Sequence, residues 1–188
     1  MSIGELVNLE TEKQEGLTKY QGVISSDHAY IHKGQAFTYI YQASDISSAV
    51  IIAFTTPSVE SGKFVHWRPL SGYTSNAGIT VVMTEDESFT GGADVSGSIY
   101  DRNRGIDNTS EMQAFASGVT ATPSGLLLQA GGSGSGGSVQ SRAGGSGSGE
   151  NEEIVLKTDT TYLITITPSA STDVITQLFW YEEEGYRA

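Results

Sequence analysis

The stretch GGSGSGGSVQSRAGGSGSG, residues 131–149, limits what this 188-residue chain can fold into more than any other feature. Fifteen of its nineteen residues are Gly or Ser, the composition of a flexible connector. If it joined two domains, the 39 residues after it would have to fold alone. They hold three strand-like runs, EEIVLK, TYLITITP and DVITQLFWYEEE, and the chain has no cysteine for a disulfide or a thiolate metal site. Three strands without such a staple bury too little to stand alone. The C-terminal runs must therefore return to sheets begun earlier in the chain. The tract becomes a long loop within one domain, a kind of loop that is usually functional or disordered. From Gly131 through Arg142 to Gly149 it is expected to take its shape from contact with its own domain or a neighbouring copy, which makes these residues candidate interface positions.

The sequence before the tract supplies those sheets. In AFTYIYQA, Phe37, Tyr39 and Tyr41 share one face of a strand. AVIIAF is a continuous β-branched run, expected for a strand covered on both faces. AYIHKG, KFVHWRP, GITVVMTE, SIYDRNRG, FASGVTAT and GLLLQA extend the series. About nine or ten short strands, punctuated by turn residues and interrupted by no long helix, make a β-sandwich the natural packing solution. The expectation is an all-β chain: a β-sandwich of jelly-roll-like topology over residues 20–188, with an extended N-terminal arm over residues 1–19.

Charge narrows the partners. Acidic residues outnumber basic ones 22 to 10, a formal net charge of -12. Phosphate backbones and anionic lipid surfaces repel such a chain, so neither nucleic acid nor membrane is expected as a partner. No apolar run approaches the ~20 residues that span a bilayer. The first residues, MSIGELVNLETEKQEG, lack the basic and apolar regions of a secretory signal, so synthesis in a cytoplasm is expected.

Catalytic or cofactor chemistry finds little to stand on. His28 and His32 are four apart after Asp27, and with His66 they allow a metal site of the cupin kind, although the H-x-H pair of that site is absent. The acids at 85–87 and 182–184 allow a two-carboxylate cleft, but consecutive acids on a turn or terminus read as solvated surface. No nucleophile elbow or phosphate-binding loop is present. Tyr39, Tyr41, Trp67, Tyr73, Trp180, Tyr181 and Tyr186 can line a sugar platform or anchor a core or an interface. No cofactor and no catalytic set is expected. The compact basic spot is YDRNRG, where Arg102 and Arg104 share a face if extended and can make bidentate pairs with carboxylates, within the domain or on a neighbouring copy.

Taken in order, FTTP after a buried strand, YDRNRG midway, the Gly-rich stretch, EEIVLKTDTTYLITITP and the terminal LFWYEEE resemble the capsid decoration, or cement, proteins of tailed double-stranded DNA bacteriophages. The likeness spans roughly residues 20–184. It implies a non-enzymatic virion protein on the capsid surface, partnered by the major capsid protein, commonly trimeric, with Arg102 and Arg104 placed to meet an acidic shell. Two other readings stand beside it: a carbohydrate- or receptor-binding module of a phage fibre or tail, and a cupin-like metal-dependent enzyme.

Overall fold

The computed structural model describes residues 26–68, 71–75, 77–133, 142–145 and 153–185. One helix, α1 (Ser26–Lys33), comes first. The strands follow in the order β1 (Ala36–Ile46), β2 (Val50–Thr55), β3 (Lys63–Trp67), β4 (Ser71–Ser75), β5 (Ile79–Glu85), β6 (Thr90–Asp94) and β7 (Tyr100–Asp101). Then come β8 (Gln113–Thr120), β9 (Leu126–Ser133), β10 (Arg142–Gly145), β11 (Ile154–Val155), β12 (Thr161–Pro168) and β13 (Thr172–Glu184). They form two antiparallel sheets packed face to face, the expected sandwich. One sheet has six strands in the order β6-β8-β2-β12-β5-β9. In the other, β13 is flanked by β1 on one side and by β3 and β4, end to end, on the other; β7 lies outside β1, and β11 and β10 lie outside β3 and β4.

The period-two pattern of the sequence becomes the two faces of each strand. In β13, residues Val174, Thr176, Leu178, Trp180 and Glu182 point inward and are buried. Trp180 pairs directly with Trp67 of β3, so the two indoles stack at 5.8 Å with planes 9° apart. Phe54 reaches across from β2 and meets both edge-on, at 5.6 Å and 6.0 Å, and Tyr39 meets Phe54 at 6.0 Å. Such edge-on aromatic contacts add to the burial of large apolar surface. Ile52, Val81, Met83, Tyr162, Ile164 and Ile166 complete the core. Ile52, Ala53 and Phe54 are consecutive and all buried, so β2 is covered on both faces.

Two segments differ from expectation. AYIHKG is part of α1 and not a strand. Gly34, at φ +68°, ends the helix by donating to Ile31 O while Gln35 N donates to Tyr30 O, the paired closure that a left-handed residue permits. A Cβ at Gly34 would meet Asn108 Nδ2 at 2.6 Å and Asp101 Oδ2 at 2.8 Å, so the position is closed to larger residues. The Gly/Ser tract is also shorter as a loop than its composition suggests. Gly131 pairs with Val81 in β9, and Arg142 pairs with Ser75 in β10, so the tract leaves one sheet edge and joins the edge of the other. An edge strand needs only backbone hydrogen bonds from one neighbour, which Gly and Ser can supply. Gly149, the N-terminal arm and the run YQGVIS lie outside the described residues.

Phe54→Ala would remove the ring that ties the sheets together and should cost about 3–5 kcal/mol in chemical denaturation, whereas Val59→Ala on the surface should stay within about 0.5 kcal/mol.

Candidate functional site

The outward face of the seven-stranded sheet carries a cluster of aromatic and charged side chains. His66 of β3 pairs with Tyr181 of β13, and their rings stack at 4.4 Å. On its other side Tyr181 pairs with Ala36, whose methyl group takes little space. Tyr30 of α1 stacks on Tyr181 at 4.0 Å, and Lys33 Nζ sits 5.5 Å from the Tyr30 ring. The helix is thus pinned to the sheet through an aromatic ladder, and Tyr181 is buried despite facing outward.

Glu153 joins this ladder from just before β11. Its Oε1 lies 2.7 Å from His66 Nδ1 and accepts from the Tyr181 hydroxyl at 2.6 Å, while Oε2 accepts from Arg68 at 3.4 Å. Glu183 Oε2 lies 3.1 Å from His66 Nε2. Burial alone would raise the Glu153 carboxyl, but the hydrogen bonds from His66 and Tyr181 and attraction to His66 and Arg68 outweigh it and hold the group below the usual carboxylate range. Burial, with the Glu153 carboxylate beside it, pushes the Tyr181 phenol well above its ordinary value. Carboxylates occupy both ring nitrogens of His66, so the cluster works as a latch that holds β3, β13 and the approach to β11 together.

Arg102 and Arg104 lie on the same outward face, though not as an extended pair. β7 stops at Asp101, and a tight turn follows in which Asn103 N donates to Asp101 Oδ1 at 2.7 Å and Gly105 N to Asn103 Oδ1 at 3.0 Å. Asn103 and Asn108 bond to the carbonyls of His32 and Gly34, fixing the turn to the end of α1. The guanidinium of Arg102 lies 5.3 Å from the Phe179 ring and that of Arg104 5.6 Å from Tyr100. Among the described residues, no carboxylate pairs with either arginine or with Lys33. Of the other interface candidates, Gly131 and Arg142 lie in edge strands β9 and β10, far along the sheets from this turn, and Gly149 lies outside the described residues.

The acidic triplets depart from a solvated surface. Glu182 is fully buried; it accepts from Ser110 Oγ, from the backbone of Glu111 at 3.1 Å and from Trp180 Nε1 at 3.4 Å, and Lys63 Nζ lies 3.6 Å away. Glu85 is buried as well, accepting from the Tyr162 hydroxyl at 3.0 Å and pairing with Lys157 at 2.9 Å. These carboxylates point inward because strand alternation sends alternate acids to opposite faces, and each meets its donors there. The histidines do not converge. His28 and His32 share one side of α1 with Nε2 atoms 2.7 Å apart, while His66 belongs to the Glu153 latch. No group of three metal-ligating side chains forms among the described residues. Trp67 and Trp180 are core residues, closed to a sugar; Tyr186 lies outside the described residues.

No family model matches the chain, and no curated protein or solved structure matches it.

A lowered folded-state value for Glu153 contributes stability above the ordinary carboxylate range, and that contribution is lost as pH falls through the folded value. Glu153→Gln should destabilise the protein by about 1–2 kcal/mol near neutrality, with the gap to wild type closing as pH falls below the ordinary carboxylate range. Urea midpoints measured across that range check it.

Proposed function

We propose that this chain is a non-enzymatic structural protein of a tailed-phage virion, which binds the outside of the capsid and stabilises it by bridging capsomers. The observation that carries the reading is an exposed apolar stretch on an edge strand. Leu126 and Leu127 begin the edge strand β9 and are 63% and 56% exposed. Edge strands are normally blunted by charge, proline or brevity, and neighbouring exposed leucines mark a surface made to be covered. The central strands of the six-stranded sheet, β2, β12 and β5, carry much of the core, the scaffold that a clamp under load requires.

The sequence supports the same reading through its resemblance to phage decoration proteins. On a shell, many copies act together, so modest contacts per copy sum to durable attachment. The protein is read as homo-oligomeric, trimeric by that resemblance, with the major capsid protein as its partner.

Adding the purified chain to shells assembled from the major capsid protein encoded in the same genome tests this. Saturable co-sedimentation, ordered external density in electron microscopy and a higher temperature of shell disruption are the expected results. Shells that take up no protein would overturn the reading.

A further inference from the structure

We infer that the Arg102–Arg104 turn of one copy docks on the Leu126–Leu127 edge of the next, in a head-to-tail contact between copies of this chain. The inference rests on the assembly reading above and names the partner of its exposed edge.

The turn is built in advance for a carboxylate-bearing partner. Hydrogen bonds within the turn and to α1 fix its backbone, and the guanidinium groups lie over Phe179 and Tyr100. An arginine stacked on a ring keeps its N–H edge available for bidentate pairing and has less freedom to lose on binding. With Lys33, the turn brings together three cations that lack a carboxylate partner among the described residues, against the exposed Asp107. Tyr100 and Ile106, both more than a third exposed, give the patch an apolar component.

The complementary surface lies at the start of β9. Leu127 pairs with Thr84 and Leu126 with Glu85, so the exposed leucines stand beside the acidic turn Glu85-Asp86-Glu87. Glu85 is turned inward there, while Asp86 and Glu87 lie nearer the surface, and Lys157 is the ammonium paired with Glu85 and Asp86. Glu87 is held in place by the backbone N–H groups of Ser124 and Gly125, which also fixes the approach to β9. One surface thus offers cations with an apolar border, and the other offers apolar side chains with an acidic border.

Strand order puts the two on opposite sides of the sandwich. β7 ends the seven-stranded sheet on one side; β10 ends it on the other, beside β9 of the six-stranded sheet. Because the patches lie on opposite sides, one two-fold contact cannot seat both of them on their complements at once. The complementary contact is heterologous, and its repetition closes a ring where the rotation allows.

Light scattering coupled to size exclusion, on the full chain without shells, tests the contact. Wild type should run as an oligomer and fall towards monomer at high salt. Two double variants, Arg102→Glu with Arg104→Glu and Leu126→Lys with Leu127→Lys, should each be monomeric with unchanged circular dichroism. Mixed together they retain one good surface of each kind, so the mass should at least double. Arg102→Gln with Arg104→Gln should also weaken assembly, at least tenfold in dissociation constant, and stands in for the charge reversal if that variant fails to fold. A wild-type monomer, wild-type assembly by either double variant, or a mixture that stays monomeric would overturn the inference. An oligomer that ignores shells would remove the virion reading and leave this contact standing.

Discussion

The stacked pair of Trp67 and Trp180 holds the rest of the structure in place, because it fixes the register of the strand that every other feature uses. Strand side chains alternate with a period of two, so a slip of one residue would send each to the opposite face. Three consecutive residues of β13 make such a slip costly. Trp180 fills the core, Tyr181 lies under α1 on the outer face, and Glu182 takes its donors inside. A slip would turn the indole to the outer face and the phenol to the inner one, and leave a carboxylate apart from its partners, a loss of several kcal/mol for the buried charge alone.

Glu182 also shows how a buried charge organises its surroundings. Backbone N–H groups of Glu111 and Met112, the Ser110 hydroxyl and Lys63 converge on it. These donors bring the approach to β8 down onto the sandwich, where Met112 is buried. Burial alone would lower the Lys63 ammonium, but Glu111 and Glu182 outweigh it and raise it, so the cation is firmly held. One carboxylate therefore couples the end of β13 to β3 and to the segment leading into β8.

Much of this was legible in the residues, and the exceptions share a cause. Phe37, Tyr39 and Tyr41 alternate, AVIIAF is continuous, and TYLITIT alternates again; each became the strand its pattern describes. These signals are local. The helix was not legible, since eight residues make little helix unaided and α1 depends on Tyr30 meeting Tyr181, far away in sequence. Glu182 looked solvated because its donors lie some seventy residues upstream. Glu153 closes the His66 latch without belonging to any motif, and no local signal marks it. YDRNRG was legible as a basic spot, but its turn geometry depends on the end of α1. Gly and Ser were read as loop because composition reports stiffness and not the offer of a neighbouring edge, which β4 and β5 make.

The net charge of -12 bears on how such a chain can assemble at all. At physiological salt the screening length is about 8 Å, so copies repel weakly at a distance and strongly only as surfaces close. Within that range the local charges decide. Three of the described cations are already committed within the fold: Lys63 to Glu111 and Glu182, Arg68 to Glu153, Lys157 to Glu85 and Asp86. Random encounters therefore bring acid against acid and are rejected. An encounter that presents the Arg102–Arg104 turn is attractive at short range, and its stacked guanidinium groups need little rearrangement to pair. A strongly acidic chain with an unpaired cationic turn among its described residues thus acts as a filter on orientation: it favours the geometry in which charge inverts locally.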